Sequence, residues 1–107
     1  MAGDPLSGKT LRWTYSDGPM KGKAFEHRFG TDGTVSWKEA GEAKPSADSS
    51  AKYQHSRIND EVKAFSYLAK SGFTLTTVVD EKSGSIVSFA SNEKELVIQH
   101  GMLERPS

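Results

Sequence analysis

Residues 73–90 read FTLTTVVDEKSGSIVSFA. Phe73, Leu75, Thr77 and Val79 alternate with Thr74, Thr76 and Val78, and the run is rich in β-branched residues, as in a strand whose two faces meet different surroundings. EKSG at 81–84 supplies a turn, and Ser85 to Ala90 resumes the extended pattern. The spacing therefore predicts a β-hairpin, and the same period of two continues outward in both directions. Val62 to Leu68 places Phe65 and Tyr67 on one face, and Asn59-Asp60-Glu61 forms the turn before it. Lys52 to Ile58 aligns Tyr53, His55 and Arg57, while Leu96 to Leu103 follows a turn at Asn92 to Glu95. Nearer the start, Lys9 to Tyr15 aligns Leu11, Trp13 and Tyr15, and Lys23 to Phe29 aligns Phe25, His27 and Phe29. Thr34 to Trp37 follows Gly30-Thr31-Asp32-Gly33, whose Asp-Gly pair suits the positive φ of a tight hairpin.

These runs make eight predicted strands. Short strands with short links suit an antiparallel up-and-down, lipocalin-like barrel, which leaves no free edge to aggregate. A β-sandwich is the alternative architecture. The segment EAGEAKPSADSSA at 39–51 is polar and small and is expected to be a mobile loop. Helix is expected nowhere except as a turn near Ser91 to Leu96 or inside that loop. Residues 1–8 read as a disordered tail and 9–103 as a single barrel domain.

Charge is balanced, with 14 Lys plus Arg against 14 Asp plus Glu. No net field then draws the chain to nucleic acid or to an anionic membrane, so neither is an expected partner. With no cysteine there is no disulfide, thiolate ligand or thiol nucleophile, which suits a reducing compartment. The opening MAGDPLSGKT carries no apolar signal core, and no run of apolar residues is long enough to span a membrane as a helix, so the cytoplasm is the expected location.

Gly3-Asp4-Pro5-Leu6-Ser7-Gly8-Lys9-Thr10 matches GxxxxGK[ST] at every fixed position. Phosphate binding by that motif needs a strand before the glycines and a helix N-terminus after them. Here LRWTY follows, and its alternation indicates a strand. The match is rejected as a nucleotide site.

Three aromatic-rich faces remain as candidate ligand-binding surface: Trp13 with Tyr15, Phe25 with His27, and Tyr53 with His55 and Arg57, to which Tyr67 adds a hydroxyl. The plain alternative for the large rings is core packing. If Tyr53 faces inward, the strand period carries His55 and Arg57 inward with it, and a buried guanidinium needs an anion to satisfy it. A shift of one residue would instead put Gln54 and Ile58 inside and Arg57 in solvent. His27, between two phenylalanines, is the best single polar candidate. His27, His55 and His100 lie on different runs without metal-ligand spacing, so no metal and no cofactor are expected. Glu26 and Arg28 read as a solvated pair on the outer face.

From Gly8 to about Gly101 the chain resembles the MoaF-like family. The features that carry the resemblance, in order, are Trp13-Thr14-Tyr15-Ser16, Phe25-Glu26-His27-Arg28-Phe29, Gly33-Thr34-Val35-Ser36-Trp37, the segment from Arg57 through Tyr67-Leu68, and Gly84 leading to Phe89-Ala90-Ser91-Asn92. The resemblance implies a lipocalin-like (calycin) barrel and, by the family's name, an association with molybdenum-cofactor genes; it implies no known reaction. Classical lipocalins carry G-x-W near the start, whereas Trp13 stands five residues after Gly8. Phenolic acid decarboxylases, a related calycin group, use barrel tyrosines, an arginine and a glutamate on a hydroxycinnamate, and Tyr15, Tyr53, Tyr67 and Arg57 form an inventory of similar kind.

The expected function is binding of a small hydrophobic or aromatic ligand inside the barrel. A cofactor-free lyase of the decarboxylase type and an interaction module with a filled barrel are the alternatives. The apolar VVD and LVIQ runs allow a homodimer as well as a monomer.

Overall fold

The computed structural model describes residues 6–39 and 49–104. Eight antiparallel strands close in sequence order into a barrel: β1 (Thr10–Tyr15), β2 (Ala24–Phe29), β3 (Thr34–Glu39), β4 (Ser50–Arg57), β5 (Val62–Leu68), β6 (Thr74–Asp80), β7 (Ser85–Ser91) and β8 (Leu96–Leu103). The fold is the all-β, up-and-down, lipocalin-like barrel that the alternation predicts. Among the described residues no helix is long and apolar enough to cross a membrane. Asn92 begins an Asx turn, its Oδ1 accepting from the Lys94 and Glu95 amides, where a helical turn had been the alternative.

Strand bounds differ from the sequence reading where side chains are polar on both faces. β3 runs on to Glu39 because Lys38 and Glu39 pair with Glu26 and Phe25 of β2, and β4 begins at Ser50 opposite Ser36. Residues 40–48 of the expected 39–51 loop lie outside the described residues. The barrel closes through a short β1–β8 seam in which Tyr15 pairs with Gly101. A Cβ at residue 101 would lie 2.5 Å from the Thr14 carbonyl oxygen, so this close approach requires glycine.

Successive links alternate between the two ends of such a barrel. One end carries the turns at 30–33, 58–61 and 81–84, together with Leu6. There Leu6, Phe29, Val35, Phe65, Val79 and Ile86 are each at most 2% exposed and fill the interior. Leu6 corrects the expected tail in its last residues: Leu6 to Gly8 form a turn, and the Gly8 amide donates to the Phe29 carbonyl. Burial of the leucine side chain stabilises that turn as a plug on the closed end. β1 follows directly, so a strand occupies the place where a phosphate-binding loop would require a helix. Lys63, also inward and buried, donates to the Asp60 carbonyl and pairs with Glu81, whose carboxyl that hydrogen bond holds below its usual range.

The outer face of β1 to β3 carries Glu26 in ion pairs with Arg12, Arg28 and Lys38, at 3.2, 3.8 and 3.9 Å. The outer face of β7 and β8 is apolar, with Phe89, Ile98 and Met102 exposed.

Candidate functional site

The other end of the barrel, with the links at 16–23, 69–73 and 92–95, surrounds a cavity of about 380 Å³. Its floor is a ring stack. Trp13 is fully buried and lies 4.4 Å from His27 at an interplanar angle of 14°, with Phe65 packed against both. Its walls are inward residues of most strands: Tyr15, Phe25 and His27 from β1 and β2, Trp37 from β3, Tyr67 from β5, Leu75 and Thr77 from β6, Ala90 from β7, and Val97 and Gln99 from β8. Pro19, Met20, Ser71, Phe73 and Glu95 form its mouth. The linings are set by the strand period, because every second residue must face the interior.

Polar groups inside this wall are few and mutually placed. His27 Nε2 is 2.9 Å from the Tyr67 hydroxyl, and Tyr67 stacks on Trp37 at 4.4 Å. Tyr15 donates to Ser88 Oγ at 3.1 Å, and Ser88 lies 2.9 Å from Thr77 Oγ1. Gln99 Oε1 accepts from the Met20 amide at 3.0 Å and so holds the β1–β2 link over the mouth. Gly18 makes this contact feasible: its φ is +77°, and a Cβ there would fall 2.7 Å from Gln99 Cγ. Asp17 ties the same link to His100, accepting from its amide at 2.7 Å and lying 2.8 Å from its Nδ1.

Burial decides the protonation of the central pair. Desolvation pushes His27 down to about 3, so the imidazole is neutral near pH 7. Desolvation, with Tyr15 adding to it, raises Tyr67 above the usual phenol range, so its hydroxyl keeps its proton. Near neutrality the pair is therefore a neutral imidazole beside a protonated phenol. His27 Nδ1 and Trp13 Nε1 are buried without a partner among the described residues.

Four of the sequence-predicted ligand-binding residues, Tyr15, Phe25, His27 and Tyr67, stand on the cavity wall. Trp13 lies beneath it in the core, and Tyr53 packs against Phe29 toward the closed end. His55 and Arg57 are exposed. This corrects the expectation that they follow Tyr53 inside. The register with Tyr53 inward applies, since Tyr53, His55 and Arg57 lie opposite Tyr67, Phe65 and Lys63, yet Arg57 stands in solvent beside Asp60 at 3.9 Å. The reason is depth. β4 pairs β3 only from Ser50 to Lys52, so its second half overhangs the start of β3 at the closed end, and His55 and Arg57 have no strand beside them on that side to cover them.

The fold has a counterpart among solved structures. A crystal structure described as a "putative beta-lactamase from Burkholderia vietnamiensis" superposes with a TM-score of 0.76 over 97% of this chain and 98% of that one, at 16% identity. At that identity the likeness establishes the shared fold and nothing further. No family model and no curated protein matches the sequence.

Sequence reasoning missed the other eleven lining residues, among them Trp37, Phe73, Thr77, Gln99, Met20 and Pro19. Thr77 was in plain view, alternating with Leu75 and Val79, and a hydroxyl on the inward face of a strand is the signal that could have found it. Gln99 shares its face with Val97 and Gly101 and is legible in the same way. Pro19 and Met20 reach the mouth through the Gln99 contact, which no local pattern announces.

Proposed function

We propose that this protein binds a small hydrophobic, ring-bearing molecule in the open half of its barrel. The observation that carries the reading is the cavity of about 380 Å³ walled by Phe25, Trp37, Tyr67 and Phe73 with a short list of neutral polar groups. That volume falls within the range of small-molecule sites, and an aromatic wall with a few oriented polar atoms is the usual composition of one. The ordered motifs shared with the MoaF-like family are compatible with this reading, and kinship with that family belongs to the proposal.

The lyase alternative loses support because its carboxylate clamp would need a cation, and Arg57 lies outside while no Lys or Arg lines the cavity among the described residues. A filled-barrel interaction module accounts for the closed half only.

Titration with N-phenylnaphthylamine, a neutral dye that brightens in apolar surroundings, tests the reading. The expected result is a saturable rise at one equivalent that Ala90→Phe, which places a ring inside the cavity, abolishes without unfolding the barrel. A rise that survives Ala90→Phe, or no rise in the parent protein, would overturn it.

A further inference from the structure

The cavity wall holds more hydrogen-bond donors than it can use. Tyr15 donates to Ser88, and Ser88 and Thr77 share a second bond, so three hydroxyl protons serve two bonds. Ser88 has no exposed surface, whereas Thr77 lines the cavity. The arrangement in which Ser88 donates to Thr77 therefore leaves the spare proton on Thr77, where a ligand can meet it.

His27 and Tyr67 repeat the pattern. Neutral His27 has one N–H and Tyr67 one O–H, and their single bond consumes one of these two protons. If the imidazole proton sits on Nδ1, it is a donor stranded among aromatic rings, since Nδ1 has no partner. We assign it instead to Nε2, donating to the Tyr67 oxygen, because a bare lone pair is tolerated in a core more readily than an orphaned N–H. The Tyr67 hydroxyl then points its own proton to the cavity. Gln99 adds a third donor group. Its Oε1 is fixed by the Met20 amide, and the residue lines the cavity, so its amide N–H group is carried on the same side chain.

Among the described residues no Lys or Arg lines the cavity to set against these donors, and Glu95 stands at the mouth. An anionic ligand would therefore carry an uncompensated charge into an apolar chamber past a carboxylate. A pure hydrocarbon would leave the donors unmet.

From this we infer that the ligand class is an uncharged, flat aromatic ketone or quinone, its rings against Trp37 and Phe25 and its carbonyl oxygen accepting from Tyr67, Thr77 or Gln99. The inference rests on the binding reading above and narrows it.

Three molecules of one shape separate the two. Fluorenone carries a carbonyl, fluorene lacks it, and fluorene carboxylate adds a charge; each is assayed by displacement of N-phenylnaphthylamine from the full chain. Fluorenone is expected to bind about tenfold or more tightly than fluorene, because only it satisfies a buried donor. The carboxylate is expected to bind more weakly than fluorenone. Tyr67→Phe or Thr77→Val should reduce the preference for fluorenone over fluorene, read as the ratio of the two affinities within each variant. The comparison within the parent protein stands even if a variant fails to fold. Equal affinity for fluorenone and fluorene, or tightest binding of the carboxylate, would overturn the ketone inference and leave the binding site itself standing. Absence of dye binding, with no displacement by any of the three, would overturn both.

Discussion

At the closed end of the barrel, Phe29, Val35, Phe65, Val79 and Ile86 meet across the interior, and Leu6 is drawn in to seal them. At the open end, Tyr15, Phe25, Trp37, Leu75 and Ala90 face inward from β1, β2, β3, β6 and β7 and yet enclose a chamber. Both halves are rich in rings, so hydrophobicity does not separate them. What differs is how the rings are committed. Phe29 lies edge-on to Phe65 at 4.8 Å and to Tyr53 at 5.1 Å, each ring's edge meeting another's face across the barrel. At the open end Trp37 and Tyr67 stack along the wall, and Thr77, Gln99 and Ala90 are too small or too polar to reach across. One sequence pattern thus yields a stabilising half and a binding half.

Truncation should separate the halves most sharply. Phe65→Ala, in the closed half, should cost about 3–5 kcal/mol of unfolding free energy, whereas Phe73→Ala at the mouth should cost about 1 kcal/mol and weaken dye binding instead. Denaturant melts of both variants check this, and equal losses would erase the distinction.

The next effect is on pH. His27 is neutral when folded and titrates near 6.5 when unfolded, so below that value the unfolded state takes up a proton that the folded state refuses until about pH 3. Stability should therefore be unaffected by this group above pH 6.5 and fall as pH drops through the window from 6.5 toward 3, by about 1 kcal/mol per pH unit. His27→Gln should flatten the slope between pH 6 and 5, where carboxylates contribute little. An unchanged slope in that variant would show that His27 is not the desolvated floor of the chamber.

The smallest expected effect is Arg57→Ala. Its side chain is solvent-exposed beside Asp60, and exposed pairs of this kind contribute little. Neither melting temperature nor dye affinity should change, and a lost affinity would move the site to the overhanging end of β4.

Most of the barrel was readable because period two is a local property: Leu75, Thr77 and Val79 face one way wherever the strand lies. Tyr15, Phe25, His27 and Tyr67 reached the cavity wall on the same signal. Depth along the barrel axis is not local. Tyr53, His55 and Arg57 share a face in sequence, but where that face has an interior behind it depends on how far β3 extends beside β4, and pairing sets that. Leu6 was hidden for a similar reason. A single leucine among Gly, Pro and Ser carries no periodicity, and only the open mouth of the closed half gives it a place to bury. The reach of β3 to Glu39 was masked by its charges, which the ion pairs Lys23–Glu39 and Lys38–Glu26 accommodate on the strands.

A crystal structure of the protein grown with fluorenone tests the central claim most directly. The account predicts density for the ring system in the open half against Trp37, with its oxygen within hydrogen-bond distance of Tyr67, Thr77 or Gln99 and the closed half unaltered. Density confined to the outer face of β7 and β8, with Trp37 or Phe73 turned inward to fill the chamber, would contradict it.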